Sequence, residues 1–418
     1  MKYRQLERRE GLIASRQAPA ANLAAAEREA GVLQPLNRRG RAAVFDLLAE
    51  AGIQINQAHP KPWDLVVKDE NRFVRRITSP LNNGLTALAD MYVEGIWDCE
   101  DVSEFLYRAL TARLNCRFTW CIPNVIRYWA DLLVNQQTRS KAAHDVSSHY
   151  DLGPVFEIML DPTMAYTCAY WKEGVANLDE AQLAKYELCC RKLEISSGMA
   201  LLDTGCGWGG FLKYAAERYG ARPCLGVTLA PKQVALGMER CRGFPVSLLV
   251  RDYRDVSGTF DRIASIGILE HVGPKNYRTY FEKMYELLKP GGLLLVHTIG
   301  SDLSSPTLRL PELDWIKREI FPGGVVPCFG QIASACDDLF TLLDAQEFGY
   351  YYYRTLVAWN DNFEKGWPEI QHRYDARFYR LWRYYLQLCA AAFRAGKNYR
   401  LWQVVFGKEY PGVYQSVR

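Results

Sequence analysis

The sequence contains no long apolar run, and neither sign of charge is in large excess. No stretch approaches the ~18 consecutive apolar residues expected of a membrane-spanning helix. Charged side chains occur throughout the first ten residues, which argues against a secretory signal. Lysine and arginine total 51 and aspartate and glutamate total 47, a net charge of +4. We therefore expect a cytoplasmic protein that does not bind nucleic acid, although this charge is compatible with an anionic membrane surface.

The chain also lacks the short spacings that mark metal sites and disulfide frameworks. Its 12 cysteines are scattered and include no CxxC pair. The six histidines show no spacing typical of metal ligands. We therefore expect no metal ion, and reduced thiols in a cytosolic protein.

Composition and patterning change along the chain and predict its organisation. Residues 1–39 are rich in alanine, arginine and glutamate without a sustained apolar period, which indicates a weakly ordered extension. Helical spacing then begins and predicts a small N-terminal domain over 40–134, for membrane docking or assembly. A polar linker over 135–148 leads to a catalytic domain over 149–418. Within that domain lies an aromatic insertion at about 301–395.

Beyond the linker, short apolar strands alternate with helical stretches. The strand-like segments are 199–204, 223–228, 246–250, 261–267 and 293–300, and "LWQVVFG" follows the insertion as a last strand. One helical stretch, "NYRTYFEKMYELLKPGG", is expected to stop at Pro290 and Gly291. This alternation predicts an α/β fold: a doubly wound, mostly parallel Rossmann-like sheet beside the smaller, mainly helical N-terminal domain.

A glycine-rich loop follows the first of these strands. "LLDTGCGWGG" places Gly205, Gly207 and Gly210 in GxGxxG spacing, which fits either NAD or S-adenosylmethionine (SAM). Asp203 gives the loop the DxGxG form usual in SAM-dependent methyltransferases. A dinucleotide site also requires an acidic residue about 20 residues further on, and the second strand ends in Thr228 with no carboxylate. The loop therefore favours SAM.

The third and fourth strands also end in polar residues. "VRDYRD" places Asp252, with Tyr253 beside it, where a carboxylate can accept from an adenine amino group; a solvated turn acid is the alternative. "SIGILEHVGPKNY" begins as a buried strand and ends in Glu270 and His271. In an open α/β sheet this edge is where ligands bind. We therefore expect Glu270 to act at the site and His271 to be structural.

Six longer motifs make the sequence recognisable. They are "HYDLGPVFEIMLDPTMAYTCAYW", "LLDTGCGWGGFLKYAA", "GVTLAPKQ", "ILEHVGPKNYRTYF", "LLVHTIGS" and "LWQVVF". On these motifs the chain resembles the cyclopropane-fatty-acyl-phospholipid synthases from about Arg41 to Trp402. The resemblance implies a SAM-dependent methyltransferase that adds a methylene across a cis double bond of a phospholipid acyl chain in the bilayer. It also implies that the insertion at about 301–395 forms a lipid channel.

The resemblance also implies a set of site residues. The SAM contacts would be Tyr166, Thr167, Gly205, Cys206, Gly207, Thr228, Leu229, Ala230, Pro231, Lys232, Gln233, Asp252, Tyr253 and Ile266. A bound bicarbonate ion would be held by Cys168, Glu270, His297, Ile299 and Tyr352. Cys389 matches a cysteine to which the family assigns a catalytic role, but a thiol on an aromatic helix is also consistent with an inert core residue.

This chemistry agrees with the residue types. An alkene is a poor nucleophile, so methyl transfer to it generates carbocation character, and ring closure then removes one proton from the new methyl group. A carboxylate aimed at the cation would be trapped as an ester. A small anion held by Glu270, His297 and Tyr352 is a safer base.

The N-terminal domain departs from the family pattern, which bears on membrane docking and assembly. Residues 84–97 read "GLTALADMYVEGIW", where the family reads closer to "GLGEAYMDGWW". The segment 116–133 combines aromatic residues with Arg117 and Arg127, as at a membrane interface. Packing of these aromatics between the two domains is an equal alternative. We expect a peripheral protein that acts on unsaturated phospholipids, and a homodimer is compatible with the sequence.

Two rival functions remain open. One is a related SAM-dependent methyltransferase that acts on another lipid or a small amine; the other is a membrane-associated SAM-binding protein without catalysis. An amine substrate does not need the proton acceptor that Glu270, His297 and Tyr352 would hold. The complete set therefore favours the cyclopropane synthase.

Overall fold

The structure, a computed structural model, describes most of the chain. The described residues are 40–79, 84–114, 137, 139, 152–303 and 312–418. The predicted extension at 1–39, the segment 116–133 and nearly all of the linker therefore lie outside them. Within the described part, no helix combines the length and apolar character needed to cross a membrane.

The described N-terminal part is mainly helical. Residues 40–50 are helical. Three further helices, α1 (Glu70–Thr78), α2 (Gly84–Val93) and α3 (Val102–Thr111), accompany a two-stranded antiparallel pair, β1 (Val66–Val67) and β2 (Trp97–Asp98). Side chains cap two of these helices: Asp69 accepts from the Arg72 amide at 2.9 Å, and Asp101 accepts from the Glu104 amide at 2.8 Å. Such caps satisfy amides that have no partner within the helix.

A seven-stranded sheet forms the rest of the framework. Its strands are β3 (Leu201–Asp203), β4 (Cys224–Thr228), β5 (Val246–Val250), β6 (Phe260–Ile266), β7 (Leu288–Ser301), β8 (Thr341–Glu347) and β9 (Tyr399–Gly407). The spatial order is β5-β4-β3-β6-β7-β9-β8. The first five are parallel, and β9 runs antiparallel to both of its neighbours. The predicted doubly wound, mostly parallel sheet is confirmed.

Helices lie between and around these strands. They are α4 (Val155–Met159), α5 (Leu178–Lys192), α6 (Gly210–Tyr219), α7 (Pro231–Arg240), α8 (Leu269–Val272), α9 (Tyr277–Leu287), α10 (Glu312–Glu319), α11 (Phe329–Cys336), α12 (Gly349–Ile370) and α13 (Ala376–Ala395). Helix α9 ends before Pro290 and Gly291, which fall at the beginning of β7.

The predicted insertion is not wholly outside the sheet. Residues 341–347 form the edge strand β8, which pairs with β9 from Thr341 to Glu347. The sequence did not reveal this strand because its residues are partly exposed and do not alternate cleanly between apolar and polar. Helices α12 and α13, which follow β8, account for most of the aromatic residues of the segment.

The N-terminal helices pack on α13 and share its hydrophobic core. Trp97 stands edge-on to Tyr384 of α13, with ring centroids 6.5 Å apart. Arg380 of α13 donates to the Trp97 carbonyl at 3.0 Å and to Asp98 at 2.7 Å. The helix that carries part of the site described below is therefore also the helix on which the N-terminal part rests.

Candidate active site

A cavity of about 270 Å³ opens at the carboxyl ends of the parallel strands. Strand order reverses between β3 and β6, because the chain runs outward from β3 to β5 and then returns to β6 on the other side. At such a reversal the loops that follow the two strands diverge and leave a crevice for a ligand. The cavity wall includes the ends of β3, β4, β6 and β7 and parts of α12 and α13.

The glycine loop turns the chain from β3 into α6. Asp203 ends β3 and accepts from the Gly205 amide at 3.1 Å, which tightens the turn. Gly207 has φ +50°, and a Cβ at this position would meet no atom within 4 Å. The Gly207 backbone is therefore open to the cavity, which is what a closely bound ligand requires.

At Gly205, unlike at Gly207, a side chain is excluded by a neighbouring residue. A Cβ at Gly205 would lie 1.6 Å from Cδ1 of Ile268, so the neighbouring loop already fills that space. Cys206 packs under the loop, and its amide donates to the Val227 carbonyl at 3.0 Å. These close contacts hold the loop against β4 and the end of β6.

Asp203 is buried beneath this loop. Burial raises the pKa of Asp203 to about 7, although the Gly205 hydrogen bond and the Lys185 charge oppose the shift. Lys185 is itself buried, which lowers its pKa to about 8, and it donates to the Thr167 hydroxyl at 2.8 Å. Thr167 lines the cavity, so these interactions position one of the predicted SAM contacts.

Most of the other predicted SAM contacts lie on the same wall. Tyr166, Leu229, Tyr253 and Ile266 line the cavity, as do Thr228 and Gln233, whose side chains hydrogen-bond each other at 2.9 Å. Three do not: Ala230, Pro231 and Lys232 lie at the beginning of α7, outside the cavity wall. Their contact with the cofactor stays a prediction.

Asp252 lines the cavity, but its carboxylate is already engaged. Arg254 donates to both of its oxygens, at 2.8 and 2.6 Å. Burial alone would raise the pKa of Asp252, yet the hydrogen bonds and charge of Arg254 outweigh it and lower the pKa. A carboxylate kept ionised in this way remains a good acceptor for an exocyclic amine.

Glu270 is not on the strand that the sequence indicated. Strand β6 ends at Ile266, and Glu270 lies on the short helix α8. Its Oε1 accepts from the Ile299 amide at 2.7 Å, whereas Oε2 has no hydrogen-bond partner among the described residues. Burial raises the pKa of Glu270 to about 7, against the opposing effect of the Ile299 amide.

His297 lies on β7 and lines the same cavity as Glu270. His297 and Ile299 are two residues apart on one strand, so they share a face of the sheet, and the Ile299 amide holds Glu270. The His297 ring is 1% exposed and lines the cavity. Its Nε2 has no partner within the described part of the chain. Two buried polar atoms, Glu270 Oε2 and His297 Nε2, are thus left for a ligand.

The remaining predicted catalytic residues also line the cavity. Of the four consecutive tyrosines 350–353, only Tyr352 does so, because it faces inward from α12. Cys168 is fully buried, and burial raises the pKa of its thiol well above the ordinary value. Cys389 lines the wall and is not in a disulfide, and its catalytic role stays a prediction.

The sequence placed an apolar channel in 301–395 but did not specify which of its residues line the cavity. The wall also contains Leu313, Phe321, Leu356, Tyr385, Leu388 and Phe393. The Tyr385 hydroxyl lies 2.8 Å from that of Tyr166. The signal was the aromatic and apolar content of 376–395, but which face of that helix meets the cavity depends on packing. His271, which was expected to be structural, also lines the cavity.

No group of residues in the described part of the chain has the arrangement of a metal site. The structure combines three features: the strand order of SAM-dependent methyltransferases, an open glycine turn after β3, and a cavity where the strand order reverses. These features define a SAM-dependent methyltransferase.

The comparisons with known proteins define the family. The family model described as mycolic acid cyclopropane synthetase matches residues 137–404. The cyclopropane-fatty-acyl-phospholipid synthase of Escherichia coli K12 is 42% identical over 374 residues, covering 89% of this chain and 94% of that protein. The chain therefore belongs to the cyclopropane synthase family.

Two solved structures show the same fold. The cyclopropane synthase MmaA2 of Mycobacterium tuberculosis is 32% identical, with a TM-score of 0.60, over 64% of this chain and 98% of that one. The mycolic acid cyclopropane synthase CmaA1, in a complex with SAH and CTAB, is 30% identical with the same TM-score and coverage. SAH is the product that SAM leaves after methyl transfer, so the second structure supports SAM dependence.

Proposed function

We propose that this enzyme converts a cis double bond in the acyl chain of a phospholipid into a cyclopropane ring. SAM would supply an electrophilic methyl group, and a bound bicarbonate would supply the base. The alkene π electrons form a bond to the methyl carbon as the carbon–sulfur bond breaks, giving a cation. Loss of one methyl proton then provides the electron pair for the second ring bond, so that the net addition is CH₂.

The observation that carries the proposal is the pair of unsatisfied polar atoms beside an apolar wall. Glu270 Oε2 and His297 Nε2 have no partners among the described residues, and both side chains line the cavity. Leaving buried polar atoms unpaired costs stability, so two such atoms on side chains that line the cavity are suited to bind a polar ligand. A small oxyanion such as bicarbonate fits this donor set if Glu270 is protonated, which a pKa of about 7 permits near neutral pH.

Other residues would orient the lipid and exclude water. Leu356, Leu388 and Phe393 give the cavity an apolar side on which an acyl chain can lie. Tyr166 and Tyr385 present aromatic rings on the same wall, and such rings attract positive charge. The Ile299 amide is occupied by Glu270, so Ile299 would act by holding that carboxyl rather than by donating to the anion.

Product analysis with labelled cofactor tests this function. The purified protein would be incubated with SAM bearing a trideuterated methyl group and vesicles of an unsaturated phospholipid. We expect a lipid that retains two of the three deuterium atoms and no longer reacts with ozone, because a ring has replaced the double bond. A product with three deuterium atoms indicates simple methylation, and retained ozone reactivity indicates a branched alkene; either outcome contradicts the proposal.

A bicarbonate requirement tests the proposed base. In buffer depleted of carbon dioxide, turnover should fall and should recover when bicarbonate is added at constant pH. Chloride at the same ionic strength serves as the control. Full turnover without bicarbonate shows that the base is another group.

We also propose that the enzyme docks on anionic membranes as a peripheral protein. The proposal is supported by the net charge of +4 and by the aromatic and basic residues of 116–133, which lie outside the described residues. A homodimer stays a prediction.

A further inference from the structure

His297 meets a glutamine across the sheet, and this contact determines which ring nitrogen carries the proton. In the pairing of β7 with β9, Gln403 is the residue directly opposite His297. Its Nε2 lies 3.3 Å from His297 Nδ1, and the two side chains are 0% and 1% exposed. The register of β7 and β9 therefore places the buried Gln403 amide beside Nδ1 of His297, on the side of the ring away from Nε2.

The orientation of the amide follows from its other contacts. Gln403 Nε2 also lies 3.2 Å from Cys189 Sγ, whereas Oε1 has no partner among the described residues. If the amide were rotated by 180°, Nε2 and Oε1 would exchange places. The two N–H groups of Nε2 would then lie where Oε1 has no partner and would be left without acceptors in the core. Leaving two donors unpaired is worse than leaving one acceptor, so Nε2 faces the ring.

The ring itself is neutral near neutral pH. Burial lowers the pKa of His297 well below its ordinary value, and the charges of Lys185 and Lys192 act in the same direction. Burial also raises the pKa of the Cys189 thiol to about 12, so no thiolate competes for the amide. A neutral imidazole has a single N–H, and an amide nitrogen can only donate.

We propose that Gln403 is a positioning residue that holds His297 in the Nε2–H tautomer and so directs a hydrogen-bond donor at an oxyanion in the cavity. Gln403 donates to Nδ1, which must therefore accept, and the ring proton resides on Nε2. His297 lines the cavity, and its Nε2 has no partner in the described chain. The tautomer follows from the Gln403 contact alone; the identity of the oxyanion as bicarbonate rests on the proposed function.

Nitrogen NMR of the histidine rings tests the tautomer directly. The intact protein would be labelled with ring-¹⁵N histidine, and His297→Asn would assign the resonance among the six histidines. We expect Nε2 to appear as the protonated nitrogen and Nδ1 as the unprotonated one. A wild-type ring with its proton on Nδ1 overturns the proposal.

A substitution at Gln403 tests the link to the anion. Gln403→Glu keeps the shape but replaces the donor with an acceptor, so the proton should move to Nδ1. The bicarbonate concentration that gives half-maximal turnover should then rise by about tenfold or more, as for a lost hydrogen bond to a charged group. Affinity for SAM should not change. Gln387→Glu is a matched control, since Gln387 is buried, contacts Asn360 at 3.4 Å and lies outside the cavity wall.

The outcomes separate this proposal from the proposed function. If Gln403→Glu moves the proton but leaves the bicarbonate requirement unchanged, His297 is not the donor to that anion and the proposal fails. If the assay with labelled SAM yields no cyclopropane product but NMR places the His297 ring proton on Nε2 in the wild type, the proposed function fails and the tautomer assignment holds. Should Gln403→Glu not fold, Gln403→Met removes the donor without adding charge, and loss of the single tautomer in its spectrum is the expected result.

Discussion

Glu270 shows how a single residue can be tuned for proton chemistry by its position. One oxygen is fixed by the Ile299 amide at 2.7 Å, and the other has no partner among the described residues. Burial places its pKa at about 7, where a small change in surroundings changes its charge. Its role therefore depends on its immediate environment as much as on its identity.

Replacement of Glu270 by Gln should separate catalysis from cofactor binding. The amide keeps the shape and can still accept from Ile299, but it cannot exchange a proton with the bound bicarbonate, as a carboxyl group with a pKa of about 7 can. We expect turnover to fall by ~10²-fold or more, while SAM affinity measured by calorimetry stays close to the wild-type value, because glutamine keeps the shape of the side chain and its contact with the Ile299 amide. Unchanged turnover would show that Glu270 has no part in the chemistry.

The same variant should change how stability depends on pH. The pKa of Glu270 is about 7 in the folded protein and about 4.3 in an unfolded chain. The folded state thus binds this proton more tightly, and ionisation costs stability as pH rises through that interval. Urea unfolding should show that Glu270→Gln gains stability relative to wild type between about pH 4.3 and about pH 7 and gains no more above it. A difference that is constant with pH would contradict the raised pKa.

Gly207 offers a test of the cofactor loop with a matched control. Both Gly207 (φ +50°) and Gly198 (φ +84°) have left-handed backbones, and a Cβ at either would meet no atom within 4 Å. Alanine at each should therefore cost a similar ~1–2 kcal/mol of stability. Only Gly207 lines the cavity, so only Gly207→Ala should also weaken SAM binding. Equal SAM affinity of the two variants, measured by calorimetry, would exclude a cofactor contact at Gly207.

At the scale of elements, the edge strand β8 is held by a buried ion pair. Lys192 of α5 lies 3.2 Å from Asp344 of β8, and their side chains are 0% and 4% exposed. Arg418 also pairs with Asp344, at 2.9 Å, so the C-terminal residue is joined to the same strand. Asp344 thus joins α5, through Lys192, and Arg418 to the edge strand β8.

Removal of the Asp344 charge should be strongly destabilising. Asp344→Asn leaves the buried Lys192 charge without compensation, and we expect a loss of ~3–5 kcal/mol in the free energy of unfolding. Asp338→Asn is the control: Asp338 pairs with Arg278 at 2.7 Å, but its side chain is 75% exposed. That exposed pair should contribute at most ~1 kcal/mol. Similar losses for the two variants in urea unfolding would show that burial of the pair does not matter.

At the scale of the whole molecule, the site must reach a lipid although no described helix can span a membrane. If the enzyme docks peripherally, the double variant Arg117→Glu with Arg127→Glu should bind anionic vesicles more weakly, by ~1 kcal/mol or more for each residue. Co-sedimentation at rising salt measures this, since the electrostatic part falls with ionic strength. Binding that is the same to neutral and anionic vesicles at every salt concentration would exclude a role for charge.

The sequence by itself determined the class of fold and the place of the cofactor loop. Alternating strands and helices gave the parallel sheet, and the residues from Asp203 to Gly210 gave the turn that follows its first strand. These features are local, because a strand, a glycine turn and a helix start are each set by neighbouring residues. Longer motifs carried the resemblance to the cyclopropane synthases, which the comparisons confirm.

The tertiary structure alone decided how the catalytic half of the site is assembled. Glu270 meets the Ile299 amide across 29 residues, and Gln403 meets His297 across 106. Which of four adjacent tyrosines faces the cavity, and that 341–347 forms an edge strand, depended likewise on packing and register. Such contacts join segments far apart in the chain, and a shift of one residue in a strand would turn each side chain to the other face, so no local pattern specifies them.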